Sequence, residues 1–181
     1  MATVSNVTSG KPNILGAVYV APIGTDLPTS TTEALDDAFE SLGYLSEDGL
    51  VNSNSPESDA IKAWGGDTVL VVNSTKDDTF ALTLIEALNE KVLKVVYGAG
   101  NVSGTLSAGI SVNANSSDAD ELSWVFDMIM RDGVRKRIVV PFAKLTEIGD
   151  VSYTDSDAVG YEITIQALPD ESGNTHYEYI K

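Results

Sequence analysis

The period of the hydrophobic pattern changes several times along the chain, and each change marks an element. The clearest alternation runs over 122–131, where Leu122, Trp124, Phe126, Met128 and Met130 interleave with Ser123, Val125, Asp127, Ile129 and Arg131. Period two over that length predicts a strand with one richly apolar face. Asp132-Gly133 follows, and both residues tolerate positive φ, so a two-residue hairpin turn is expected before Val134–Val140 returns. Pro141 is expected to end the returning strand, because it cannot donate to a ladder. Tyr161, Ile163, Ile165 and Ala167 alternate with Glu162, Thr164 and Gln166, a strand with one wet face. Leu15–Ala21 reads as a first strand stopped by Pro22. Residues 105–112 read as a modest strand with Leu106, Ala108 and Ile110 on one side, and Tyr177–Ile180 as a closing strand.

The stretch 58–98 is the most informative. It begins with Ala60-Ile61-Lys62-Ala63-Trp64, broken by Gly65-Gly66. Thr68–Val72 is rich in β-branched residues, Ser74–Asp78 reads as a polar turn, and Thr79–Leu84 as the return strand of a hairpin. The period then becomes helical. Ile85, Leu88, Val92, Val95 and Val96 share one face, with Glu90, Lys91 and Lys94 opposite. Glu90 and Lys94 form a favourable i,i+4 pair, and Gly98 is the expected stop. A helix of about three turns is too short to stand alone, so its stripe must pack on the sheet.

The connections are long. Met1–Asn13 reads as an unfolded polar arm. Ile23–Leu45 holds Pro28, and Thr32-Glu33 is expected to open a short helix toward Phe39 and Leu42. Ser46–Glu57 reads as a long acidic loop with Asp48-Gly49 as a turn. Gly98–Gly104 reads as a flexible connector. Together these segments predict a mainly β domain with one flanking helix (α+β), a sandwich or barrel. The expected organisation is a flexible arm over 1–13 and one β domain over 14–181, with the long acidic loop near 46–57. The final strand and the Trp64 strand look apolar and unpaired, and such edges template pairing with another chain. Closing a barrel across several subunits removes them.

Composition narrows the chemistry. Of 181 residues none is cysteine, which excludes disulfides and thiolate metal sites. No run approaches about 18 apolar residues, so no membrane span is expected. The N-terminus lacks the basic start and apolar stretch of a secretory signal. Acidic residues outnumber basic ones 27 to 11, a formal net charge of −16. Pro12–Ile61 and Glu147–Ile180 contain no Lys or Arg, while Arg131, Arg135, Lys136 and Arg137 cluster. Most of such a surface repels nucleic acid. In a strand Arg135-Lys136-Arg137 splits its charges between two faces and has few aromatic neighbours. Ion pairs with acidic segments of other subunits are therefore expected of it, rather than a nucleic-acid groove. The single histidine, His176, is expected to be solvated rather than part of a Ser-His-Asp relay. Gly98–Gly104 follows a helix instead of opening one, unlike a dinucleotide loop. Asp155–Gly160 lacks the later ligands of a calcium loop. No catalytic, cofactor-binding or metal-binding residues are expected, and no enzyme.

The order of apolar run, Trp-Gly-Gly, hairpin and Glu-containing helix ending in Tyr-Gly resembles the major tail tube protein of long-tailed, non-contractile bacteriophages. The residues that carry the resemblance are Ala63-Trp64-Gly65-Gly66, Phe80-Ala81-Leu82-Thr83-Leu84-Ile85-Glu86 and Val92-Leu93-Lys94-Val95-Val96-Tyr97-Gly98. The resemblance implies a β-sandwich-like structural protein of the virion tail, made in the host cytoplasm. It implies rings of six subunits whose inner sheets join into one barrel, stacked into a tube through which viral DNA is ejected. The partners it implies are further copies of the chain and the tape measure, tail terminator and distal tail proteins, with DNA passing unbound. An N-terminal arm and a long loop contact the neighbouring ring in that family, and by position those roles fall on Met1–Asn13 and Ser46–Glu57. Contractile-tail and type VI secretion tube proteins share the fold. On this reading the interface or lumen residues are Asp59, Lys62, Trp64, Gly65, Gly66, Arg135, Lys136 and Arg137. Asp59 and Lys62 are expected nearest the inner wall, and Gly65-Gly66 is expected to kink the strand into the barrel. The alternative is a β-sandwich module that binds carbohydrate or a cell surface, with Trp64 and Trp124 as stacking platforms. Trp124, within the alternating face, fits a core better.

Overall fold

A computed structural model describes residues 2–13 and 16–181. The alternating segments become strands β8 (Leu122–Ile129), β9 (Arg135–Ile148) and β10 (Tyr161–Leu168). Before them come β1 (Lys11–Pro12), β2 (Val18–Pro22), β3 (Glu40–Ser41), β4 (Leu45–Lys62), β5 (Thr68–Leu84), helix α1 (Glu90–Tyr97), β6 (Val102–Thr105) and β7 (Gly109–Val112). β11 (Tyr177–Ile180) follows them. Nine strands form one sheet in the order β3-β2-β8-β9-β10-β5-β4, with β1 beside β8 and β11 beside β9. β6 and β7 form a separate hairpin. Among the described residues the protein is thus mostly β with one α-helix, as the pattern predicted.

The sheet is curled. Phe80 on β5 and Phe126 on β8 have two strands between them in the ladder, yet their rings stack with centroids 5.5 Å apart. Three steps across a flat sheet would separate them by about 14 Å. Their inward faces, with Val18, Trp124, Val140, Ile163 and Ile165, make one buried core. Val92, Leu93, Val95 and Val96 of α1 join it. Each such side chain contributes about 1.5–3 kcal/mol by leaving water. The helix is shorter than its sequence pattern. Asn89 accepts a hydrogen bond from the Lys91 N–H at 3.0 Å and starts it there. Ile85 and Leu88 therefore precede the helix, while the Glu90–Lys94 pair forms at 3.7 Å.

Three departures have clear local causes. The connection between β8 and β9 is three residues, Arg131–Gly133, because the Met130 N–H donates to the Val134 carbonyl at 2.7 Å. Asp132 and Gly133 do take positive φ, 60° and 80°. Next, β9 runs through Pro141. On one side the ladder shifts register between Leu122 and Trp124, and the Ser123 hydroxyl donates to the Pro141 carbonyl at 2.7 Å. On the other side β11 pairs as far as Val139 and β10 begins at Phe142, so no partner asks Pro141 for an N–H. Finally, turns and bends in 23–39 replace the short helix expected from Thr32 toward Phe39 and Leu42. The Glu33 carboxylate accepts from the Thr29 N–H at 2.6 Å and from its hydroxyl, a local bond that competes with helix formation.

The long acidic loop expected near 46–57 is a strand. Residues 45–62 are β4, paired with β5 from Leu45↔Leu84 out to Lys62↔Thr68. The Asp48-Gly49 signal marks a register shift between Leu45 and Leu50, with Gly49 at φ 72°. Likewise the polar run Ser74–Asp78 is no turn but the middle of β5. The N-terminal segment is not an unfolded arm over its described part. The Thr8 hydroxyl accepts from the Arg131 N–H at 2.9 Å, and Lys11 pairs with Ile129. Gly98–Gly104 is ordered too, since Asn101 Nδ2 donates to the Tyr97 carbonyl at 2.7 Å. The strand expected over 105–112 divides into β6 and β7. Leu15, expected in the first strand, lies outside the described residues, as do Met1 and Ile14.

Candidate assembly interface

β4 and β5 extend together far beyond the rest of the sheet. From Ser53 to Asp77 every described side chain is exposed. About nine residue pairs at about 3.3 Å each make an arm roughly 30 Å long. It exposes Val51, Ile61, Val69, Leu70, Val71 and Val72, and Trp64 is fully exposed at its end. Bulges on β5, where Glu57/Ser58 and Ile61/Lys62 step past their partners, add twist along it.

Gly65-Gly66 is the tip turn rather than a kink in a continuing strand. The two residues take φ 119° and 98°, which only glycine adopts freely. The Ala63 N–H donates to the Asp67 carbonyl at 2.7 Å and closes the turn.

Register sorts the arm into two faces. Leu50↔Leu82 and Asn52↔Phe80 share the core side, and alternation carries Lys76 and, farther out, Lys62 to that same side. Glu57, Asp59 and Asp77 occupy the other side, which continues across β10 and β9 through Glu162 and Glu147. Lys144 on that face reaches Asp118 at 3.4 Å. Asp59 and Lys62, expected together at an inner wall, therefore point to opposite faces.

At the base of the arm sits a cluster that sequence patterning missed. Asp78 is 2% exposed and accepts hydrogen bonds from Asn52, Thr175 and His176. His176 is thus not a solvated tail residue. Its Nδ1 faces the Asp78 carboxylate, and its ring meets Phe80 edge-on at 5.4 Å. Burial pushes the Asp78 carboxyl up. The hydrogen bonds from Thr175, Asn52 and His176, with the histidine's charge, outweigh burial and hold it below the ordinary 3.8. A lowered folded-state value means a contribution to stability that is present above 3.8 and lost as pH falls through the folded value. Asp78→Asn is expected to cost about 1–3 kcal/mol at neutral pH. Its acid-unfolding curve by circular dichroism should be shallower than that of the parent and converge with it at the lowest pH.

The basic cluster serves mostly inside the subunit, a correction to its expected role between subunits. Arg137 is buried. Its Nε and Nη2 donate to the Asp127 carboxylate at 2.6 and 2.8 Å, and Nη1 donates to the carbonyls of Ser30 and Glu33 at 3.0 and 2.7 Å. Lys136 pairs with Glu178 at 2.7 Å. Arg135 is exposed, with its backbone paired to Lys181. Trp124 is core, 1% exposed, and cannot serve as a stacking platform. Among the described residues no group of acidic and histidine side chains is arranged to hold a metal ion. No helix there is long and apolar enough to cross a membrane.

The curled sheet thus holds out a long two-faced hairpin with a polar cluster at its base. The chain belongs to the phage tail tube protein family, whose model matches residues 13–181. It is accordingly a structural protein of a phage tail. Among solved structures, the tube-terminating cap of the anti-feeding prophage is similar over 100% of both chains, at 8% identity and a TM-score of 0.44. No curated protein sequence matches the chain.

Proposed function

We propose that this chain assembles with its own copies into six-membered rings stacked as the tail tube of a long-tailed, non-contractile phage, through which viral DNA is ejected. The observation that carries the reading is the arm. A hairpin of roughly 30 Å with valines, leucine and tryptophan in water on both faces is a surface waiting for a partner. The free edge of β4 offers backbone groups for pairing with the sheet of a neighbouring copy. The face bearing Glu57, Asp59, Asp77, Glu147 and Glu162 suits a lumen wall, since clustered carboxylates repel phosphate and leave DNA free to slide. On this assignment Asp59 faces the lumen and Lys62 faces away from it. Tape measure, tail terminator and distal tail proteins are the partners at the lumen and the two ends.

Negative-stain electron microscopy of the concentrated protein tests the reading. Hollow tubes of uniform width are expected. Monomers at every concentration, even when seeded with tail tips, would overturn it. The exposed Trp64 also favours a second reading, a monomer that stacks a sugar on the arm tip. Specific binding by that monomer on a glycan array would decide for it.

A further inference from the structure

We infer that the arm tip of one copy docks in the groove between α1 and the β2 end of the sheet on the next copy, with Trp64 on its apolar floor and Lys62 on its acidic rim. The inference rests on the self-assembly reading above and names its acceptor site. The groove is a cavity of about 370 Å³ lined by Pro22, Val95 and Leu122, with Asp37 and Asp120 at the rim. It is wide enough for an indole, whose burial removes roughly 150–250 Å² from water. Tryptophan is also the side chain that most often anchors an interface.

Charge points to the same pairing. The two lysines of the groove are already engaged, Lys91 with Glu40 at 3.2 Å and Lys94 with Glu90 at 3.7 Å. Among the described residues Asp37 and Asp120 have no such partner. The groove therefore presents two unmatched carboxylates around an apolar floor. The arm tip presents the complement, an unpaired Lys62 two residues from a fully exposed Trp64. Asp67 is the tip's one carboxylate. It follows the glycines, on the opposite strand from Lys62.

Topology keeps the two from meeting within one copy. β5 leaves the arm at Asp78 and ends at Leu84, after which the chain forms α1. Arm and groove thus lie at opposite ends of β5. The contact is head to tail, the kind that propagates through many copies instead of closing in a pair.

The absence of cysteine makes the test direct. Ala63→Cys copies and Ala38→Cys copies are mixed, assembled and treated with a short bis-maleimide. Ala38 lines the groove, and both positions are exposed. A linked dimer is expected from the mixture, and not when Ser156→Cys replaces Ala38→Cys. Trp64→Ala should raise the concentration needed for assembly about tenfold or more. Lys62→Glu should weaken assembly, and Asp37→Lys with Asp120→Lys should restore it. Tubes of normal width with no linkage above the control would overturn the groove assignment and leave the tube reading intact. Parent protein that never assembles would overturn both.

Discussion

Arg137→Ala is expected to destabilise the subunit by about 3–5 kcal/mol, because it strands a nearly buried carboxylate. Asp127 would lose both of its guanidinium hydrogen bonds, and the carbonyls of Ser30 and Glu33 would lose their donor. The second loss matters because the connection 23–39 lies over the outer face of β8 and β9 and is fastened there through this guanidinium. Val125 and Val139 on that face are as buried as the core. Urea unfolding monitored by tryptophan emission would give the loss. Replacing the pair together, Arg137→Met with Asp127→Leu, should recover much of it, since no charge is then left unpaired. A single variant as stable as the parent would mean that the pair merely fills space.

Excising the arm should separate folding from assembly. Deleting residues 56–76 and joining Ser55 to Asp77 through Asn-Gly uses a register already present, because those two residues pair across the hairpin. Asn-Gly is the favoured two-residue turn. The deleted residues touch none of the buried core, so the unfolding midpoint should stay close to that of the parent. Assembly should be lost outright, read as monomers by sedimentation at concentrations where the parent forms tubes. Tubes from the shortened chain would show that the body alone carries the contacts.

The sequence was readable where strands are half buried and misleading where they are bathed on both sides. β8 and β10 alternate because one face meets the core and the other meets water. Between 53 and 77 neither face meets the core, so nothing selects alternation, and polar runs within a strand look like turns. That is why Ser46–Glu57 reads as a loop and Ser74–Asp78 as a turn. The Asp132-Gly133 signal was sound, yet one extra residue in the connection changes what faces what. A two-residue turn would set Phe126 opposite Val139. The observed connection sets it opposite Ile138 and brings Asp127 opposite Arg137. Trp124 was placed in the core by its alternation alone. His176 carried no local signal, because its partner lies 98 residues away. Trp64, Gly65 and Gly66 stood out by composition, but their place at the end of a projecting hairpin follows from strand length, which pattern does not specify.

The cluster at the base of the arm has a consequence in time. Thr175 is made 97 residues after Asp78. At about 5–20 residues per second, a ribosome needs roughly five to twenty seconds to cover that gap. During that interval Asp78 lacks two of its three donors, and β9 lacks the strand that pairs with Arg137 and Val139. A nascent chain thus carries the arm before its mounting is complete. Neighbouring ribosomes on one message hold such unfinished subunits at high local density. A late-forming mounting would keep them from polymerising on the message before they are released.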